Sequence, residues 1–350
     1  MKITALAIPS HEEVVRVEDP QSGLLGFIAV HSTVRGPAAG GLRMRPYKDQ
    51  AAALDDVLAL SRGMSFKNAA ADLPLGGGKA VIIGDVASKS DAQLRAFGQA
   101  INTLAGRYWT AEDMGMTPAD MAVIAETTRY VAGRDAGAFA SGDPSPITAR
   151  GIFQSIRTTA RHRFGVANLE GRVVAIQGLG HVGWHLGVLL RAAGASLIAA
   201  DTDAARVEQA ARCLGADVVG PEDILTVPAD ILAPCAIGGV LNARTVPNLN
   251  VAAICGGANT QLATPEDGAR LAARGILYAP DYIVNAGGII NVATEILRLR
   301  DADGFVEAKL AALDATLDQI FGEAKRLGKT PDAVADAIVA SRFVPPLQAA

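Results

Sequence analysis

Cysteine is scarce in this chain: Cys213, Cys235 and Cys255 are the whole complement of 350 residues, none stands in a CxxC spacing, and all lie in apolar contexts. That excludes a disulfide scaffold and a cysteine-based metal site, and it fits the reduced interior thiols of a cytoplasmic protein. Long apolar runs are also missing. Half of the residues are hydrophobic (50%) and 19% are charged, but Gly, Asp and Arg interrupt every run before the roughly 18 residues a membrane helix needs. The opening MKITALAIPSHEE holds one lysine and a short apolar stretch that meets Pro9, Ser10 and acids, so no signal peptide is expected. Clustered positive charge is absent too. The net charge is -4 and the lysines and arginines are scattered singly, which argues against a nucleic-acid surface and points to small-molecule partners. There is no internal repeat and no low-complexity tract.

What is present suits two domains of about 150 residues, each with its own core. The first third gives a strand-like run over 26–31, a glycine-rich loop VRGPAAGGLRM, and a helix over 50–67 with Leu54, Val57, Leu58 and Leu60 on its apolar face. GGGK then reads as a turn before the short strand AVIIGD. Asp91 is a candidate N-cap for the next helix. A strand over 108–110 delivers Glu112 and Asp113 into a loop, ahead of a helix starting at Thr117 with Pro118 in its first turn. Gly, Ala, Ser, Asp and Pro accumulate over 133–146, which places a domain boundary there.

Residues 64–79, MSFKNAAADLPLGGGK, set Lys67 after Met64 and Phe66, and Lys79 after Leu73, Pro74, Leu75 and three glycines. Dry surroundings favour a neutral amine, which suits one lysine to proton transfer. A snorkelling Lys67 and a Lys79 that merely begins a strand fit the segment equally well. Asp113, at a strand end, is placed either for chemistry or for bracing its loop.

The second half opens on a clear βαβ pattern: RVVAIQ, the turn Gly178-Leu179-Gly180-His181-Val182-Gly183, a helix over 184–193, and SLIAAD. The GxGxxG is complete and sits between strand and helix. Gly178 permits the tight turn, Gly180 lets the backbone approach a pyrophosphate, and Gly183 lets helix pack on strand. Asp201 follows Gly178 by 201 minus 178, or 23, residues and ends a strand. It would accept hydrogen bonds from an adenosine ribose and repel a 2′-phosphate, so NAD is expected over NADP, a preference that Asp203 and Arg206 in the same DTDAAR stretch keep from being absolute. Strands and helices keep alternating to 278, as in a doubly wound sheet whose ligands lie beyond the strand carboxyl ends. That nominates Ala236 in PCAIGG, Asn259 in GGANT and Asn285 in DYIVNAGG. No metal is expected: His181 and His185 have the zinc-helix spacing, but Val182 stands where HExxH needs its Glu.

Taken in order, MSFKNAAADLPLGGGK, YWTAEDMG, GDPSPITARG, QGLGHVG, APCAIGG, GGANTQL and APDYIVNAGGIINVA resemble the glutamate, leucine, phenylalanine and valine dehydrogenases. The resemblance implies an α/β protein of two domains separated by a cleft. Residues 1–135 would form a substrate domain and 140–328 a doubly wound Rossmann NAD-binding domain, with a helix over 331–350 packing back on the first. It implies reversible oxidative deamination of an L-amino acid to a 2-oxo acid and ammonia, with NAD, in a homo-oligomer. By motif, Lys67 resembles the lysine that binds the substrate carboxylate, Lys79 the lysine that handles the proton of the attacking water, and Asp113 the acid that exchanges protons with the amine. Thr148 resembles the contact to the nicotinamide carboxamide, and Asn259 a residue near nicotinamide and substrate.

The same resemblance places Ala39, Gly40, Gly41 and Met64 beside the substrate. Gly77 and Gly78 would leave room for the substrate backbone. Glutamate enzymes carry a lysine where this chain has Ala39, and burying a second carboxylate unpaired would cost several kcal/mol, so glutamate is rejected. AAGG is similar to phenylalanine enzymes, whereas TAEDMG, GDPSPIT and NAGGIINVATE are similar to leucine enzymes, with Ile289 and Val292 lining an aliphatic pocket. A branched-chain substrate is therefore expected, with phenylalanine as the alternative and, from another class, an idle NAD-binding protein.

Overall fold

The computed structural model describes residues 1–342; residues 343–350, the end of the helix expected over 331–350, lie outside the described residues. The chain divides into two compact units.

In the first unit six strands form one sheet: β1 (Lys2–Ala5), β2 (Glu13–Asp19), β3 (Leu24–Ser32), β4 (Ala38–Arg45), β5 (Gly76–Ile83) and β6 (Tyr108–Glu112). Their order is β1-β2-β3-β5-β4-β6. The pairings β1 to β2, β2 to β3 and β3 to β5 are antiparallel, while β4 runs parallel to both β5 and β6. Side chains alternate between the two faces. Helix α1 (Gln50–Ala70) covers one face, packing Ala53 and Val57 against Val14, Phe27, Ala29 and Val81. Helices α2 (Asp91–Asn102) and α3 (Pro118–Ala125) cover the other, where Leu94, Phe97, Ile101, Met121 and Ile124 meet Ile28, Leu42, Ala80, Ile82 and Tyr108.

Three local expectations change. GGGK is not a turn: Gly76, Gly77 and Gly78 are the first residues of β5, with Lys79 inside the strand. A Cβ on Gly77 would lie 2.1 Å from the Ser65 amide nitrogen of α1, and one on Gly78 would lie 2.7 Å from the Tyr108 ring. The glycines thus let α1 and Tyr108 close on the two faces of the strand, and packing explains them without a substrate. At α2 the N-cap is Ser90, whose hydroxyl accepts from the Gln93 amide, and Asp91 is the first helical residue. Ser90 has the extended backbone a cap requires, and Asp91 complements the helix dipole from the first turn. Helix α1 runs past 67, and the Asn68 amide donates to the Gly76 carbonyl at 2.6 Å, tying the helix end to the start of β5.

The second unit starts with α4 (Ser145–Phe164) and alternates through β7 (Val173–Gln177), α5 (His181–Ala192), β8 (Ser196–Ala200), α6 (Ala204–Leu214), β9 (Asp217–Val218), β10 (Ala229–Pro234), β11 (Val251–Ile254), α7 (Glu266–Ala273), β12 (Leu277–Tyr278) and α8 (Asp281–Val284). All pairings are parallel, in the order β12-β11-β10-β7-β8-β9. The direction of winding reverses between β7 and β10, which is where a doubly wound sheet opens a ligand crevice. Leu232, Ile254, Tyr278, Ala175 and Ala200 share its core.

Three helices follow: α9 (Gly287–Ile296), α10 (Ala302–Leu327) and α11 (Pro331–Ser341). Here the expected single boundary gives way. Residues Ile289–Glu307 group with the first unit, Ala308–Ile338 with the second, and the chain re-enters the first at Val339. Two polar contacts account for this. Buried Glu295 of α9 accepts from Gly133, Arg134 and Ser141 of the first unit, and Tyr282 donates to Asp336 of α11 within the second. Neither contact is visible in composition. Among the described residues no helix is long and apolar enough to cross a membrane.

Candidate active site

Leu42 of β4 pairs with Ala80 of β5 and with Glu112 of β6. Alternation then puts Arg43, Lys79 and Asp113, each one residue away, on the opposite face, the one covered by α1. There they form an ion cluster. Lys79 Nζ lies 2.5 Å from Asp113 Oδ2, and Arg43 Nε lies 3.3 Å from the same oxygen. Arg43 Nη1 also reaches Asp56 Oδ2 of α1 at 3.2 Å, and the Tyr47 hydroxyl donates to that oxygen at 2.6 Å. Burial works to raise the Asp113 pKa, but the adjacent Lys79 and Arg43 cations outweigh it and hold the carboxyl at about 2. Lys79 is itself 6% exposed.

The depressed carboxyl has a consequence for acid stability. Its folded pKa of about 2 lies below the ordinary 3.8, so the stabilisation is complete above pH 4 and is lost as pH falls through 2. It should amount to on the order of 2 kcal/mol. Denaturant unfolding from pH 5 down to 2 is expected to be steeper in pH for the wild type than for Asp113→Asn; equal pH dependence would refute the pairing.

The neighbouring nominated residues gather around β4. A Cβ on Gly40 would sit 1.9 Å from the Gly78 carbonyl oxygen and 2.9 Å from Met64 Cγ, and one on Gly41 would sit 2.7 Å from Asp113 Cβ. Glycine at both positions is what lets Met64 descend on the sheet and Asp113 close on β4. Ala39 is fully buried between Gly77 and Trp109 in the strand register. Half-buried Lys67 occupies the last turn of α1, three residues after Met64. Ile289 and Val292, three apart on α9 and so on one face, are 8% and 5% exposed. Arg43, Asp56 and Tyr47 escaped sequence reasoning. The available signal was the alternation along β4, which puts Arg43 on the face of Ala39 and Gly41.

In the second unit, Gly178 has a φ of 95° and a Cβ there would meet the Ala236 Cβ at 2.7 Å, while one on Gly183 would lie 2.0 Å from the Gly178 carbonyl oxygen. Gly180 differs. A Cβ there would meet only Arg206 Nη1, at 3.8 Å, so open space lies over the middle glycine. Gly180 is also the N-cap of α5, which starts at His181, and no side chain caps it. First-turn amides and open space over the backbone fit a pyrophosphate. The Asp201 carboxylate accepts from the Leu179 amide at 2.6 Å and the Asp203 amide at 2.9 Å, with Arg206 Nη1 at 3.9 Å. The Leu179 side chain is buried, Val182 faces Gly257, and Asp203 caps α6 through the Ala205 amide. Beyond β11, Asn285 donates to Asn259 Oδ1 at 2.9 Å and to the Gly257 carbonyl at 3.1 Å; its own Oδ1 is buried without a partner among the described residues. Gly287 packs on Thr148 of α4, where a Cβ would lie 2.8 Å from the Thr148 Cα. An unpartnered amide oxygen and a bare glycine cradle suit a nicotinamide dinucleotide.

A doubly wound dinucleotide unit and a separate α/β unit carrying a lysine–carboxylate pair define the class: a two-domain α/β oxidoreductase. Comparison with known proteins narrows it. Residues 11–130 match the family model described as Glu/Leu/Phe/Val dehydrogenase, dimerisation domain, and residues 201–331 match that of the Glutamate/Leucine/Phenylalanine/Valine dehydrogenases. The chain is 46% identical to a leucine dehydrogenase of Geobacillus stearothermophilus over 90% of its length and 86% of that protein's. It is 47% identical to a phenylalanine dehydrogenase of Lysinibacillus sphaericus over 83% of its length and 77% of that protein's. The crystal structure of L-tryptophan dehydrogenase from Nostoc punctiforme superimposes with a TM-score of 0.80 at 39% identity, covering 95% of this chain and 96% of that one. The chain belongs to the Glu/Leu/Phe/Val dehydrogenase family. It is an amino-acid dehydrogenase, of a family that uses a nicotinamide cofactor.

Proposed function

We propose that this enzyme catalyses the reversible, NAD-dependent oxidative deamination of a branched-chain L-amino acid, leucine, valine or isoleucine, to the 2-oxo acid and ammonia. The observation that carries the reading is the Lys79–Asp113 pair, 2.5 Å apart, on the face of the sheet where Gly40, Gly41 and Met64 converge. Lys67, in the last turn of α1, holds the substrate carboxylate. Lys79, in its neutral amine form, takes a proton from the attacking water, and Asp113, ionised at neutral pH, receives and returns protons at the substrate nitrogen. A bound nicotinamide would supply the hydride acceptor for the substrate carbon. Gly178, Gly180, Gly183 and the first-turn amides of His181 and Val182 would receive the pyrophosphate, with Ala236 bordering it, and Asp201 would take the adenosine ribose. Thr148, Asn259 and Asn285 orient the carboxamide end.

Ala39 offers no cation to a second carboxylate, which disfavours glutamate. Ile289 and Val292 supply an aliphatic wall. Leucine, valine, isoleucine and phenylalanine compared by kcat/KM test the choice: the branched-chain substrates are expected to lead, and a clear lead for phenylalanine would replace them. NADH binding with no turnover of any L-amino acid would favour an idle binding protein. The carboxylate of Asp201 sets the preference for NAD by repelling a 2′-phosphate, so Asp201→Ser is expected to shift the NAD to NADP ratio of kcat/KM at least about tenfold towards NADP. An unchanged ratio would remove Asp201 from that role. The dimerisation-domain match supports a homo-oligomer, and the free thiols Cys213, Cys235 and Cys255 support a cytoplasmic setting, although Cys213, expected in the interior, is exposed.

A further inference from the structure

The first unit carries a second concave site that the reaction does not use. It is a cavity of about 600 Å³ lined by Asn102 at the end of α2, the segment following α3, Arg134 and Arg298. Its charged lining consists of Glu126, Arg129, Arg134 and Arg298. Two of these are already paired: Glu126 with Arg95 at 2.7 Å, and Arg134 with Glu295 at 2.5 Å. Arg129 and Arg298 have no carboxylate partner among the described residues, so the cavity holds two uncompensated positive charges. The neutral donors on the wall are occupied as well. Asn102 donates to the Thr127 carbonyl at 2.7 Å, and the Thr128 hydroxyl donates to Asn102 at 2.7 Å.

The Arg129 side chain and the Arg298 backbone are held in place. The Arg129 guanidinium stacks on the Tyr130 ring, 5.0 Å from its centroid, and donates to the Tyr130 hydroxyl at 3.1 Å. Arg298 follows α9 with a φ of 51°, in the left-handed region, at the turn closed by the Leu299 amide on the Thr294 carbonyl. Glycine is the usual occupant of that position, and a side chain there works against the fold. Asp72, Ala105 and Thr260 share that backbone region, so the φ alone assigns no role; what sets Arg298 apart is its place on the rim of a polar cavity with excess positive charge.

We propose that this cavity binds a small phosphorylated anion, with Arg129 and Arg298 as its charged clamp. Guanidinium groups pair with phosphate through two parallel hydrogen bonds, two cations match a dianion, and the volume suits a metabolite rather than a bare ion. The proposal does not depend on which amino acid the enzyme oxidises.

Titration calorimetry on the full-length enzyme tests it, with inorganic pyrophosphate as the probe, NADH saturating, and ionic strength held constant with chloride. Saturable binding with a Kd below about 1 mM is expected, weakened at least about tenfold by Arg129→Ala and by Arg298→Gly. Arg298→Gly separates function from folding. It relieves the left-handed backbone, so its Tm should hold or rise while the binding is lost and turnover is unchanged. Absence of saturable heat, or equal affinity in wild type and both variants, overturns the proposal. So does a change in assembly mass in the variants without pyrophosphate binding, which would assign the arginines to carboxylates of a second copy.

Discussion

Lys79→Ala is expected to lower kcat by roughly three orders of magnitude while changing the Kd for NADH by less than about twofold. Lys79 is buried, belongs to one of the two central strands of its sheet, and shares a proton-transfer distance of 2.5 Å with Asp113. The dinucleotide residues belong to the other unit of the chain, so their backbone turn and the Asp201 carboxylate should be unaffected. Lys79→Arg sharpens the test. It keeps a cation beside Asp113 but never yields a neutral base, so a purely structural lysine would be replaced by it and a proton-transferring one would not. Wild-type turnover in either variant would remove Lys79 from the chemistry.

Glu295→Ala should cost about 3–5 kcal/mol of folding free energy. The Glu295 side chain is 2% exposed and pairs with the Arg134 guanidinium at 2.5 Å. It also accepts from the backbone amides of Gly133 at 2.8 Å, Arg134 at 3.3 Å and Ser141 at 3.1 Å, and from the Ser141 hydroxyl at 3.0 Å. Truncation leaves the Arg134 guanidinium, itself 33% exposed, and the amides of Gly133, Arg134 and Ser141 without their acceptor. Denaturant unfolding measures it, and a loss below about 1 kcal/mol would mean that the 133–141 segment finds other partners. The same segment is the one whose Gly, Ala, Ser, Asp and Pro content reads as a linker. Composition reports that it lacks regular structure, not that a carboxylate from α9 organises it.

That contrast separates what was legible from what was not. The dinucleotide turn could be read directly because its strand, glycines, helix and acid are contiguous, each with a local backbone reason. Thr117 and Pro118 announced α3 for the same cause, and the structure adds a reciprocal capping pair between Thr117 and Asp120. Lys79 and Asp113 could be named only through resemblance, since they stand 34 positions apart in sequence (113 minus 79). Arg43 was silent: its partners Asp56 and Asp113 come from α1 and from the residue just after β6, and only the folded sheet brings them together. The glycines before Lys79 were visible but misread, because a strand pressed from both faces and a turn place the same demand on composition.

The bare centre of that sheet bears on how the enzyme can change its diet. At Gly40, Gly41, Gly77 and Gly78 a single added carbon collides with neighbouring atoms at 1.9 to 2.7 Å. These strand positions therefore cannot be used to reshape a substrate pocket. On the proposed reading, room for variation lies on the helices, at Met64 of α1 and at Ile289 and Val292 of α9, rather than on the strands that position Lys79 and Asp113. Libraries aimed at new substrates should accordingly randomise these helical positions and leave the glycines fixed, so that the range of acids accepted drifts while the proton chemistry stays constant.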